Sequence, residues 1–167
     1  MANKTQVLDS KQINQKIDRI TRQIIENNYK QSDLIVVGIN GNGYIFAEKI
    51  HTIISQHGML DSTLTELKIS KKSHLDGKES LSIDENQIKN KVVVLVDDVI
   101  NSGETMSFAV RFILGLSPCS IQTAVLVDRK HRKFPIKSNY MGKELSTTLQ
   151  DRIDVEVING EMEAFLV

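Results

Sequence analysis

Apolar residues follow two rhythms along this chain. Ile13, Ile17, Ile20, Ile24 and Ile25 recur three and four residues apart, the spacing that gathers side chains on one side of a helix. Ser10 precedes them as a candidate N-cap, and Asn27-Asn28 marks the stop. Tyr44 to Gln56 repeats the pattern through Ile45, Ile50, Ile53 and Ile54, and a third helix is expected from about Glu104 to Leu114. Gly115 is placed to cap that helix, and Pro118 prevents its continuation. The second rhythm is shorter. Leu34 to Ile39, Val92 to Val96 and Ile121 to Val127 are apolar runs of strand length, the signature of strands covered on both faces, and Val92 to Val96 reads as the central one. Ser62 to Ser70 alternates with period two, and Asp151 to Ile158 reads as one more strand. Asp76-Gly77, inside a polar stretch of about residues 70–90, is a type I′ hairpin signal. Strands alternating with helices predict an α/β fold: a doubly wound, mostly parallel twisted sheet with flanking helices and right-handed crossovers. The polar stretch is expected to form a small hood with a β-hairpin.

Composition narrows the picture. The chain has 167 residues and two prolines, with no repeat or linker-like tract, so one domain over 1–167 is expected. Lys+Arg and Asp+Glu number 21 each, so nothing in the net charge draws the chain to nucleic acid or membrane, and any such partner needs a local patch. Cys119 is the single cysteine and cannot close an internal disulfide, which suits a reducing compartment. No apolar run reaches the ~18 residues of a membrane span, and Met1 to Thr5 does not read as a signal peptide; a cytoplasmic location is expected. The four histidines show no ligand spacing. Gly38 to Gly43 spaces its glycines as neither a dinucleotide fingerprint nor a P-loop, and reads as a tight turn.

Chemistry is expected beyond the carboxyl ends of the strands, where open α/β sheets bind ligands. Three segments arrive there: Asn40–Gly43, Asp97–Thr105 and Asp128–Tyr140. In the middle one, two adjacent acids, Asp97 and Asp98, are followed by Asn101-Ser102-Gly103-Glu104-Thr105, a turn that opens a helix. The helix start offers the free amides of Gly103, Glu104 and Thr105, with the hydroxyls of Ser102 and Thr105, to a phosphate. The carboxylates suit vicinal hydroxyls, or a Mg²⁺ bridging them. Together they can grip a sugar phosphate from both ends. The plainer alternative is an acid-rich helix start with no ligand.

The run from Val92 to Thr105 resembles the signature of type I phosphoribosyltransferases, which bind 5-phosphoribosyl 1-diphosphate (PRPP). Ala124 to Lys143, with its Val127-Asp128-Arg129-Lys130-His131-Arg132 core, is similar to a segment typical of the PyrR family, as are Val7-Leu8-Asp9 and Val37-Gly38-Ile39. That family comprises bacterial pyrimidine-operon attenuators that are also uracil phosphoribosyltransferases. The resemblance implies that Asp97 and Asp98 hold the ribose hydroxyls and, through them or through water, Mg²⁺. It implies that Asn101 to Thr105 take the 5′-phosphate and that Asn40, Gly41, Asn42 and Gly43 approach the diphosphate. Arg132 is expected near the diphosphate, and Tyr140 and Met141 at the base, with Asp128 among the substrate-binding residues. The implied reaction is displacement of diphosphate from C1′ of Mg-PRPP by a pyrimidine nitrogen, most simply that of uracil.

Departures from the family pattern carry their own expectation. Asn40 and Asn42 stand where relatives offer Lys and Arg, Glu104 stands where they carry a cation, Asn101 replaces the acid of purine-specific relatives, and the hood is short. Weakened turnover follows. The alternative is a nucleotide-responsive RNA-binding regulator without significant turnover, which would use Arg19, Arg22, Lys130, His131, Lys133, Lys137 and Lys143. The family also leads one to expect a homodimer or larger homo-oligomer. A phosphoacceptor signalling domain fits less well, because its acid pair should follow the first strand.

Overall fold

The computed structural model describes residues 4–70 and 77–167. The chain opens with β1 (Thr5–Leu8) and α1 (Ser10–Asn27). Asp9, and not Ser10, caps α1: its Oδ1 accepts from the Gln12 amide at 2.8 Å while Gln12 Oε1 accepts from the Asp9 amide at 2.9 Å. This reciprocal capping box satisfies two backbone donors at once, and it leaves Ser10 as the first helical residue.

Then come β2 (Asp33–Ile39), α2 (Asn42–His57), β3 (Asp61–Lys68), β4 (Ser80–Leu81), β5 (Val92–Ile100), α3 (Glu104–Leu114), β6 (Ser120–Asp128) and β7 (Tyr140–Glu144). These strands form a six-stranded sheet in the order β4-β3-β2-β5-β6-β7, parallel except for β4 at one edge. The expected doubly wound architecture is present. Leu34 and Val36 of β2, with Val92, Val94 and Val96 of β5, pack toward α1 and α2, while Ile35, Val37, Ile39, Val93 and Leu95 pack toward α3. Apolar residues at consecutive positions are therefore needed because each face has its own cover; every fully buried one contributes about 1.5–3 kcal/mol. Strand β5 is interior, as expected, but runs on to Ile100, so both acids lie within the strand.

The segment 151–158 belongs elsewhere. Its strand, β8 (Ile153–Ile158), joins β1 and β9 (Glu161–Leu166) in a separate antiparallel sheet of order β1-β9-β8. Leu8, Ile153, Val155, Met162 and Ala164 close the α1/α2 side of the core. The β8–β9 turn is Asn159-Gly160, with φ of 52° and 81°, a backbone suited to the Asn-Gly pair of a two-residue hairpin. Near the hood, β4 pairs with the end of β3, and Ile88, in the turn Glu85–Ile88, is buried beside Ile69 and Leu67. Of the expected Asp76-Gly77 hairpin turn, Asp76 lies outside the described residues, and Gly77 has φ 60°. Among the described residues no helix is long and apolar enough to cross a membrane.

Strand order reverses between β2 and β5: β2 leads outward to β3, and β5 leads the other way to β6 and β7. The crevice at such a reversal is where open sheets hold ligands.

Candidate active site

Two chain segments leave the sheet at that crevice. After β2, Gly41 adopts φ 89° and serves as the N-cap of α2 without a side-chain cap. Asn40 Oδ1 accepts from the Ile69 amide at 3.0 Å, and Asn42 Nδ2 donates to the Val155 carbonyl at 2.7 Å. Both asparagines thus brace the turn, one against the root of the hood and the other against β8. Gly43 is a packing requirement: a Cβ there would sit 2.9 Å from Asp97 Oδ1 and 3.1 Å from the Val96 carbonyl oxygen. The missing side chain lets the start of α2 close on the acid pair.

After Asp97, which is 4% exposed, comes half-buried Asp98. Asp97 Oδ1 accepts from the Asp98 amide at 2.9 Å, and Asp98 Oδ1 accepts from the Val99 amide at 2.8 Å. Side-chain alternation along a strand sends the two carboxylates to different sides. Among the described residues no group of three or more His, Cys, Asp and Glu could hold a metal ion. Beyond Ile100, Gly103 takes φ 84° as N-cap of α3, and Ser102 Oγ accepts from the Glu104 amide at 3.2 Å. Asp97 and residues 99–106 line a cavity of about 120 Å³. Glu104 is exposed at its rim and makes no ion pair among the described residues. The site is a small cavity; a larger concavity, about 600 Å³, lies between α1, α2 and the Asn159-Gly160 turn, away from these strand ends. The chemistry decides between them: Asp18 and Glu48 line the larger one on helix flanks beside Lys49, whereas the small one sets Asp97 against the start of α3.

The third segment departs from expectation at two residues. Tyr140 does not face a ligand: it is 3% exposed, on the α1 side of the sheet, with its hydroxyl donating to Gln122 Oε1 at 2.8 Å and accepting from Asn27 Nδ2 at 3.1 Å. Burial pushes its phenol pKa up, against the opposing pull of hydrogen bonds from Asn27 and Asn28. Alternation along β7 puts its neighbour Met141 on the other face, where it lines a cleft of about 320 Å³ with Asp128, Arg132, Ile136 and Ser138. Arg132 is no unengaged cation. Its Nη2 donates to Asp128 Oδ2 at 2.7 Å, its Nη1 to the Asn101 carbonyl at 3.0 Å and its Nε to the Ile136 carbonyl at 3.0 Å. Asp128, 2% exposed, accepts further from Ser138 Oγ and the Lys130 amide. Burial pushes the Asp128 carboxyl up, but the hydrogen bonds from Arg132, the Lys130 amide and Ser138 outweigh it and hold the carboxyl below its usual range. Ser138 and Ile136 escape a reading of the sequence, since they lie in a stretch with no periodicity.

The basic residues are dispersed. Arg22 pairs with Asp18 and Lys130 with Glu144, at 3.0 and 2.8 Å. His131 Nδ1 lies 3.5 Å from Arg129, and Lys133 and Lys137 are exposed. Arg19 donates to the carbonyls of Met141 and Gly142 and lines a hollow with Lys16 and Lys143.

Comparison with known proteins agrees with this geometry. The phosphoribosyl transferase domain family matches residues 3–157. A protein from Chloroflexus aurantiacus named "Bifunctional protein PyrR" is 37% identical over 167 aligned residues, covering 94% of this chain and 90% of its own. One of the same name from Clostridium novyi is 36% identical, covering 98% and 96%. Among solved structures, the hypoxanthine phosphoribosyltransferase of Trypanosoma cruzi superposes with a TM-score of 0.77 over 96% of this chain and 95% of that one, at 12% identity. A hypoxanthine-guanine phosphoribosyltransferase from Bacillus anthracis gives 0.65 at 22% identity, over 84% and 82%. With the sheet, the acid pair and the turn after it in place, the chain belongs to the phosphoribosyltransferase family, in its PyrR-like branch.

Proposed function

We propose that the chain binds PRPP with Mg²⁺ and a pyrimidine base, uracil, and joins them into a nucleoside monophosphate with release of diphosphate. The observation that carries this reading is the cavity of about 120 Å³ that combines Asp97 with the amides and hydroxyls of Ser102 to Thr105 at the reversal of strand order. Helix starts favour phosphate, and buried carboxylates favour the ribose hydroxyls. In this reading Asp97 and Asp98 hold the ribose, Asn101 to Thr105 hold the 5′-phosphate, and Gly41 to Gly43 present backbone amides to the diphosphate. The base lies against Met141 and Ile136, beside Asp128. When bound, Mg²⁺ would neutralise charge on the diphosphate, and Asp97 and Asp98 would hold it indirectly, through the ribose hydroxyls or water. The base nitrogen forms its bond to C1′ as the bond from C1′ to the diphosphate oxygen breaks; the electron pair leaves with the diphosphate, and the proton of the base nitrogen passes to water. The chain's tasks are alignment and charge stabilisation.

Turnover is slow in this reading. Asn40 and Asn42 serve the fold and bring no positive charge to the departing diphosphate, where transition-state charge collects. The test is calorimetric titration of PRPP with and without Mg²⁺, alongside an assay of uridine monophosphate from uracil and Mg-PRPP. Mg²⁺-dependent PRPP binding is expected, weakened in Asp98→Asn with an almost unchanged melting temperature. Unaltered affinity in that variant overturns the assignment of the ribose site.

A second reading, RNA binding, is favoured by one observation. Lys16, Arg19 and Lys143 converge on one hollow, where burial first, and then the charges of Arg19 and Lys143, hold the Lys16 ammonium below its ordinary range. Crowded cations of this kind are relieved by phosphates. Arg19→Gln/Lys143→Gln should lower affinity for a leader-transcript hairpin and flatten its salt dependence; an unchanged slope removes RNA from this surface.

A further inference from the structure

We propose that Arg132 is a positioning residue: backed by Asp128, it holds the carbonyl side of the turn 100–103, so that the amides of that turn stay directed at the phosphate. The proposal rests on the PRPP reading above and reassigns Arg132 within it.

Three consecutive carbonyls of the turn are captured by the segment that follows β6. The Ile100 carbonyl accepts from the Arg129 amide at 3.0 Å. The Asn101 carbonyl accepts from Arg132 Nη1 at 3.0 Å. The Ser102 carbonyl accepts from the amides of Lys133 and Phe134 at 2.9 and 3.1 Å. In a planar trans peptide the carbonyl oxygen and the next residue's amide hydrogen point in opposite directions. Capture of carbonyls 100, 101 and 102 therefore turns the amides of Asn101, Ser102 and Gly103 away from residues 129–134. Among the described residues the amides of Ser102 and Gly103 donate to no protein acceptor.

Of these captures, that of the Asn101 carbonyl is the only one made by a side chain, and the rest of the guanidinium is anchored. Nε is held by the Ile136 carbonyl, and Nη2 by Asp128 Oδ2 and, at 3.4 Å, by Ser138 Oγ. Asp128 is fixed in turn by Ser138 and the Lys130 amide. Such a fan of donors needs the planar fork of arginine; a lysine ammonium cannot span it. Close packing completes the arrangement, since a Cβ on Gly103 would lie 2.4 Å from Ile136 Cγ2 and 3.4 Å from Arg132 Cδ. The family resemblance implies a diphosphate ligand at Arg132, whereas its bonds make it a bracket beneath the other end of the substrate.

Three ligands separate the two roles: ribose 5-phosphate, which has the 5′-phosphate alone; inorganic diphosphate; and PRPP, which has both groups. Affinities are measured on the wild-type chain, Arg132→Lys and Asp128→Asn. Bracketing predicts that Arg132→Lys loses about tenfold or more for ribose 5-phosphate and a like factor for PRPP, with diphosphate unchanged. Asp128→Asn should lose less, in the same pattern, because the amide oxygen keeps one acceptor for Arg132. Exchange of the Lys133 and Phe134 amides with solvent should quicken in both folded variants. A loss confined to PRPP and diphosphate overturns the proposal and makes Arg132 a diphosphate ligand. Unchanged ribose 5-phosphate affinity or unchanged exchange overturns it as well, while the PRPP reading survives if the wild type binds PRPP. A wild type that binds neither sugar phosphate overturns both. If Arg132→Lys does not fold, Asp128→Asn carries the same three-ligand comparison.

Discussion

Strand β6 passes two polar networks, one near each end, each with buried members, and they are built of different chemistry. Near its start, Asn28 and Gln122 exchange a reciprocal pair of side-chain hydrogen bonds, both 3.0 Å, and Tyr140 and Asn27 extend the chain. Every member is neutral, and the network joins the last turn of α1 to β6 and β7. At its end, Asp128, Arg132 and Ser138 form a charged network that reaches out to the Asn101 carbonyl in the turn 100–103. Neutral amides and hydroxyls that satisfy one another cost little to bury and serve packing. A buried ion pair is a poor source of net stability but a demanding one, since either partner left alone is strongly unfavourable. The charged device stands where a loop must be held in one conformation beside an open cleft. The neutral one stands where only the helix must stay docked.

That contrast can be broken experimentally, and the largest effect should come from the charged end. Asp128→Ala leaves the Arg132 guanidinium short of its acid and should cost about 3–5 kcal/mol in urea unfolding at neutral pH. Its pH dependence has a definite sign. A carboxyl held below its usual range adds stability that is fully present above ~pH 4 and lost as pH falls through the lowered folded-state value. The wild type should therefore weaken from about pH 4 downward, and Asp128→Asn should flatten that acid limb. An acid limb unchanged in the variant would show that other carboxylates govern it.

At the neutral end the effects should be smaller and confined to stability. Tyr140→Phe removes one hydroxyl from a satisfied network and should cost about 1–2 kcal/mol, with PRPP and nucleotide affinities unmoved. A selective loss of nucleotide affinity would restore the tyrosine to the base site and contradict the burial described above. The smallest change is expected for Asn27→Ala, about 0.5 kcal/mol, since Asn27 is exposed and Gln122 still accepts from the Tyr140 hydroxyl. A cost as large as that of Asp128→Ala would erase the distinction between the two ends.

The helices over Ser10–Asn27, Asn42–His57 and Glu104–Leu114 and the inner strands are legible in the sequence because their signal is local. A period of three to four residues, or an unbroken apolar run, states which sides must be covered. The acid pair and the turn at Gly103 are legible for the same reason, being fourteen contiguous residues whose types suit one chemistry. The small sheet was half written: Asn159-Gly160 is as good a hairpin signal as Asp76-Gly77, yet β1 is too short to stand out, and antiparallel pairing of Thr5–Leu8 with Glu161–Leu166 leaves no local trace. Tertiary structure alone decided the parts played by Tyr140 and Arg132. The partners of Tyr140 include Asn27, 113 positions away, and Arg132 reaches a carbonyl 31 positions away. Sequence determines that a side chain carries a ring or five donors; whether those groups are spent inside the protein or left for a ligand depends on which distant backbone and side-chain atoms the sheet brings within ~3 Å of them.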